Sequence, residues 1–128
     1  MLRPPGHRLP VHAVCVHLGL QEAHRQRQLQ RVCELLRTFP PGEPVVLAGD
    51  FNDWRHRAHA ILQRGAGLQE VFVQAFGRAV RTFPASMPLL ALDRIYVRNA
   101  AVHAPLSLPR KPWDKLSDHA PLAAEILL

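Results

Sequence analysis

The sequence predicts a mixed α/β fold, and three observations carry that prediction. Apolar runs at residues 11–18 and 44–48 each precede a segment with helical spacing. The last third of the chain holds short apolar runs separated by prolines and polar residues, which reads as further strands. The chain has 128 residues, close to the ~100–200 of a single domain. Hydrophobic residues make up 48% and charged residues 20%, a globular balance that excludes a disordered tail. No apolar run approaches the ~18 residues of a transmembrane helix, and Met1 to Gly6 form no apolar signal-peptide core. A cytoplasmic protein without a transmembrane segment is expected.

Each element has its own signal. Residues 11–18 are almost continuously apolar between Pro10 and Gly19, as in a strand buried on both faces. Over residues 21–39, Leu29, Val32, Cys33, Leu36 and Phe39 form one helical stripe. Arg25, Arg27 and Arg31 read as its solvated face. Pro40-Pro41-Gly42 stops the helix. Residues 44–48 form a second strand that runs into Gly49-Asp50-Phe51-Asn52-Asp53. Residues 55–65 form a shorter helix carrying Ala58, Ile61 and Leu62. Residues 77–90 read as a loop, with 79–83 as a candidate short strand. Residues 90–97 form a strand interrupted by Asp93 and Arg94, and 101–108 another. Residues 109–116 form a basic loop with Trp113, and 120–127 the final strand.

Composition narrows the chemistry. The 16 basic residues exceed the 10 acidic by six, and such a surface attracts phosphates and anionic lipids. The arginines are scattered and form no single run. Cys15 and Cys33 have neither metal nor redox spacing, so both read as small buried hydrophobes in a reducing compartment. His56 and His59, three apart, could form a zinc pair but read as surface helix residues.

The polar residues at strand ends carry more. In α/β sheets, sites form at the carboxyl ends of parallel strands. His17 ends the first strand, and Asp50 and Asn52 end the second. Two apart in extended backbone, Asp50 and Asn52 would share a face; an Asx-type turn capping the next helix is the alternative. Asp93 interrupts an apolar strand, where a carboxylate needs a partner. Asp118 and His119 lie in a turn that feeds the last strand. A base with its orienting carboxylate, an amide donor and metal-ready carboxylates are the equipment of metal-assisted phosphoester hydrolysis.

Val16-His17-Leu18, Gly49-Asp50-Phe51-Asn52-Asp53, Leu92-Asp93-Arg94-Ile95-Tyr96-Val97 and Ser117-Asp118-His119-Ala120-Pro121-Leu122 occur in that order. Together they resemble the second half of the endonuclease/exonuclease/phosphatase superfamily, which includes deoxyribonuclease I, AP endonucleases, neutral sphingomyelinases and inositol-polyphosphate 5-phosphatases. Trp54 and Arg81-Thr82-Phe83-Pro84 resemble an uncharacterised bacterial subgroup. The resemblance implies half of a four-layer α/β sandwich, a mixed sheet with helices on one face. Residues 1–128 would be a single partial domain, the C-terminal half without its N-terminal half.

By the resemblance, His119 is the general base or phosphate-contacting histidine and Asp93 orients it. Asp50 positions or activates the attacking water, Asn52 holds the scissile phosphate, and His17 is a phosphate-binding histidine and proton donor. Asp118 and Asp50 would hold Mg²⁺ or Mn²⁺. Trp54, Arg81, Phe83 and Trp113 would contact a phosphate-ester substrate: nucleic acid, phospholipid headgroup or sugar phosphate. Trp113 could equally pack beneath its loop. The superfamily's main Mg²⁺ ligand is a glutamate in the first half, and Glu22, Glu34 and Glu70 sit in the wrong context to match it. Without that glutamate, the alternative is a non-catalytic phosphate-binding module. The sheet face that the other half would cover is expected to be exposed and to drive self-association.

Overall fold

The computed structural model describes the backbone of residues 1–128 and every side chain except that of Val102. The elements run β1 (His12–His17), α1 (Glu22–Thr38), β2 (Val45–Asp50), α2 (Arg57–Ala66), β3 (Gln69–Glu70), α3 (Val71–Phe76), β4 (Asp93–Arg98), β5 (Val102–Leu106), α4 (Trp113–Leu116) and β6 (Ala123–Leu127). Four strands form one mixed sheet in the order β1-β2-β4-β3, while β5 and β6 form a separate antiparallel pair. β1 and β2 are parallel, joined by α1 as a crossover, and β4 runs antiparallel to β2.

The sheet has two differently built faces. On one, Leu29, Cys33 and Leu36 of α1 and Ala58 and Leu62 of α2 pack on Val45, Leu47, Phe51 and Tyr96. On the other, Val71 and Phe72 of α3 and Leu122, Ala124 and Ile126 around β6 pack with Val46, Ile95 and Val97. Strand alternation sorts these sets, because neighbouring residues of a strand face opposite ways. In β4, Tyr96 joins the helical side while Ile95 and Val97 join the ribbon side.

Four expectations need correction. The 11–18 run reads as buried on both faces, yet Ala13, Cys15 and His17 are exposed. β1 is the edge strand of the sheet, and the β5–β6 ribbon leaves its second face open. Cys15 is therefore exposed, while Cys33 is buried as expected. Arg25 is not solvated: it is 4% exposed. Its guanidinium donates to the carbonyls of Gly19 and Leu20 and pairs with Glu22, so the helix and the loop that precedes it share one buried cation. Finally, α3 has no counterpart in the sequence reading. It is only 6 residues long, too short for a periodic stripe, and Glu70 caps it by accepting from the Val73 amide at 2.6 Å. The 79–83 segment makes one isolated bridge, Phe83 to Leu90, consistent with a loop.

At the junction of β1 and β2, Gly49 has φ +145°, and a Cβ there would lie 1.9 Å from the Val16 carbonyl oxygen. Only glycine fits. The two strands thus close tightly one residue before His17 and Asp50.

Candidate active site

Sheet register places the first three groups. His17 is opposite Asp50, and Asp50 is opposite Asp93. Residues opposite one another across strands share a face, so one row across β1, β2 and β4 carries imidazole, carboxylate, carboxylate. His119 arrives from the 117–119 turn. That turn is tied down by two backbone hydrogen bonds, Ala85 N to Asp118 O and Ala120 N to Thr82 O, each 2.7 Å.

The histidine and its orienter meet directly. His119 Nδ1 lies 2.6 Å from Asp93 Oδ2. The Thr82 hydroxyl donates to the same oxygen at 2.5 Å, which fixes the carboxylate from its second side. His119 Nε2 then faces Asp50 Oδ2 at 3.8 Å, and His17 Nε2 approaches that oxygen at 3.6 Å. Asp50 Oδ2 thus lies between two imidazoles. Partial burial pushes the His119 imidazole down, but the hydrogen bond and charge of Asp93, with the charges of Asp50 and Asp118, outweigh it. The net shift is upward, which favours the imidazolium.

Asn52 reaches the site by a route other than extended backbone. Its φ is +47°, a left-handed turn that asparagine tolerates better than most residues. Its amide N–H donates to Asp50 Oδ1 at 2.9 Å, the Asx geometry, so the shared-face reading of 50 and 52 is corrected. Its side-chain Nδ2 donates to the Leu18 carbonyl at 2.6 Å. That bond uses one of two N–H groups and leaves the second for a ligand. The helix-capping role belongs instead to Asp53, which accepts from the amides of Arg57 and Ala58 at 3.0 and 2.5 Å.

His17, Asp50, Asn52, Trp54, Phe83 and His119 all line one open cavity of about 690 Å³. The Phe83 ring sits 5.0 Å from the His119 ring. Trp54 is half exposed, with the Arg55 guanidinium 4.6 Å from its ring centre. Arg81 does not line this cavity but the adjoining groove, which shares the Trp54 wall. Trp113 lines a third hollow behind Asp93 and His119. Thr82, Asp53 and Arg94 are the residues the sequence reading left without a role. A threonine two residues from a proline and an arginine alternating with a candidate catalytic aspartate were the available signals.

Asp50, Asp93 and His119 offer ligand atoms within 4.8 Å of one another. Asp93 Oδ2 is already engaged by Thr82 and His119, and Asp50 Oδ1 by the Asn52 amide. Asp93 Oδ1 and Asp50 Oδ2 accept no hydrogen bond from the described residues, and Asp50 Oδ1 keeps a second lone pair, so both carboxylates have oxygen left for a cation. Asp118 is exposed and stands outside this trio. A hard cation that keeps much of its water shell and uses one or two carboxylates fits such a set. Among the described residues, Glu22 pairs with Arg25, Glu34 with Arg31, and Glu70 caps α3; none faces the cavity.

A mixed sheet with this histidine–carboxylate row defines a deoxyribonuclease I-like fold. The chain belongs to the endonuclease/exonuclease/phosphatase family, whose model matches residues 4–119. It is 57% identical over 125 residues to the uncharacterized protein YbhP of Escherichia coli K12, covering 98% of this chain and 49% of that protein. The chain therefore spans about half the length of the curated relatives it matches. Among solved structures it resembles a functionally unknown conserved protein from Enterococcus faecalis V583, with TM-score 0.72 and 25% identity over 95% of this chain and 52% of the other. Truncated Caenorhabditis elegans TDP2 superposes with TM-score 0.71 at 18% identity, covering 94% of this chain and 56% of that one; this likeness is one of fold. No helix here is long and apolar enough to cross a membrane.

Proposed function

We propose that the chain supplies the acid–base half of a divalent-metal-dependent phosphodiesterase. The observation that carries this reading is the His119–Asp93 pair facing Asp50 and Asn52 across one cavity. In the reaction, the oxygen of a water attacks phosphorus and gives its proton to Asp50 Oδ2. The bond to the leaving oxygen breaks, and His17 protonates that oxygen. A phosphomonoester and an alcohol result. His119, held as imidazolium by Asp93, and the free Asn52 N–H donate to the phosphoryl oxygens as negative charge grows on them. Asp118 and the other Asp50 oxygen, Oδ1, which keeps a lone pair beside the Asn52 amide, would hold Mg²⁺ or Mn²⁺, and the ion would neutralise charge on the phosphate. Trp54, Phe83, Arg81 and Trp113 would contact the rest of the substrate, whether nucleic acid, phospholipid headgroup or sugar phosphate.

The catalytic unit of this reading includes a second half, placed over the open β1 face around Ala13 and Cys15. The greater length of the relatives supports that, as does the engagement of Glu22, Glu34 and Glu70 elsewhere. The 128-residue chain alone is accordingly expected to turn over little or no substrate. The second reading, a non-catalytic phosphate-binding module, draws on the same glutamates. Hydrolysis of bis(p-nitrophenyl) phosphate tests both. Activity that requires the upstream half of a relative together with Mg²⁺ or Mn²⁺, and disappears in EDTA, supports the enzyme. Phosphate binding with no turnover in the reconstituted unit supports the module.

A further inference from the structure

We propose that Arg94 is a positioning residue, holding Asn52 in its donor geometry through Asp53. The inference rests on the role given to Asn52 above. Arg94 follows Asp93 in β4, so strand alternation turns it away from Asp93 and into the helical side of the sheet. There it is 2% exposed and Asp53 is 1% exposed. Its Nη1 donates to Asp53 Oδ2 at 3.1 Å. Its Nη2 donates to the Asp53 carbonyl at 2.5 Å and to the Ala91 carbonyl at 3.1 Å. One planar fork thus joins the loop just past Asn52 to the lead-in of the strand that carries Asp93. Asp53 extends the link by capping α2.

Asn52 needs such a hold. A non-glycine residue at positive φ persists only when its surroundings impose that geometry. On its N-terminal side, Phe51 is fully buried and its amide donates to the Leu92 carbonyl at 2.8 Å. On its C-terminal side the anchor is Asp53, whose carbonyl accepts from the His56 amide at 3.1 Å within the loop and from Arg94, the contact that ties it to β4. Stability alone does not account for the pair, because well-packed apolar residues often serve a buried site equally well. A lysine cannot replace the fork, since a single ammonium does not span two acceptors in fixed planar geometry.

The test is Arg94→Lys in the reconstituted unit, with hydrogen exchange of the Asn52 side-chain amide as the readout independent of turnover. The expected result is exchange at least 10-fold faster at the Asn52 amide bonded to Leu18, with the His119 titration midpoint unmoved. kcat should fall roughly 10- to 100-fold with KM within twofold, the usual scale for a misplaced catalytic group. In an Asn52→Ala background the same change should cost less than twofold, because the two residues act as one unit. Should Arg94→Lys not fold, Asp53→Asn carries the same measurements. Unchanged Asn52 exchange in a folded variant, or full additivity with Asn52→Ala, overturns the proposal. Lack of turnover in the parent unit instead overturns the catalytic reading, and the exchange measurement then decides positioning alone.

Discussion

Two histidine–carboxylate pairs are hydrogen-bonded directly, one at each end of the sheet, at nearly identical distance. At the amino end of β1, His12 Nε2 lies 2.5 Å from Glu43 Oε2. At the carboxyl end of β2, His119 Nδ1 lies 2.6 Å from Asp93 Oδ2. Their surroundings differ. The His12 ring stacks flat on Phe39, with centroids 4.0 Å apart and planes 11° from parallel, and Glu43 is additionally tied to Asn99 through its backbone carbonyl. Its other face is spent on packing. The far nitrogen of His119 opens into a cavity shared with Asp50, Asn52 and His17. A histidine–carboxylate pair is therefore not a site by itself. The site is made by what else points at the free ring nitrogen.

That contrast can be broken most sharply by truncation. His119→Ala and Asn52→Ala should each lower kcat by roughly 10²–10³-fold, the loss of one transition-state donor, whereas His12→Ala should leave kcat within twofold. Steady-state kinetics of the reconstituted unit decides this. Equal losses at both ends would mean that the carboxyl-end cavity holds no special chemistry.

The next effect is in pH. In the proposed reaction His119 is an imidazolium; partial burial lowers its pKa but Asp93 raises it further, so activity should decline as pH rises through that raised value. Asp93→Asn should move this limb downward. Stability should follow the same sign. The pair stabilises fully below the ~6.5 of an unfolded histidine and loses that contribution as pH climbs through the folded value. Thermal unfolding across this window should show the loss in the parent and not in Asp93→Asn. An alkaline limb unmoved in that variant would assign it to another group.

At the amino end, His12→Ala should cost about 1–2 kcal/mol of stability, the loss of a part-buried hydrogen bond and a stacking contact, read as a shift in the denaturation midpoint. The smallest effect is expected at Arg110, which is mostly exposed and sits 3.7 Å from Asp114. Arg110→Ala should change KM by less than about threefold, since exposed charge pairs contribute ~0–1 kcal/mol.

The parts of this molecule legible in the sequence were those with a pattern. The crossover from β1 through α1 to β2 shows as apolar runs and a stripe. The site row shows as polar residues where strands end. Short-range geometry was hidden. The left-handed turn at Asn52 defeats an argument from extended spacing, and α3 is shorter than two turns. Burial of Arg25 is legible in the spacing: it stands four residues before Leu29 and therefore on the apolar stripe itself. The Asp53–Arg94 pair joins positions 41 apart, and no local pattern links them. Exposure of Cys15 depends on which strand lies at the sheet edge, a property of topology.

The alternation in β4 sets a tolerance to insertions and deletions. Asp93 serves the cavity from one side of the strand while Arg94 grips the Asn52 loop from the other. Inserting or deleting a single residue between Leu92 and Tyr96 exchanges those sides along the whole strand. It would send a carboxylate into the helical core and a guanidinium into the cavity. A library of single-residue insertions should therefore tolerate additions in the 99–101 connection far better than within 93–96, even though the two segments lie only a few residues apart in the chain.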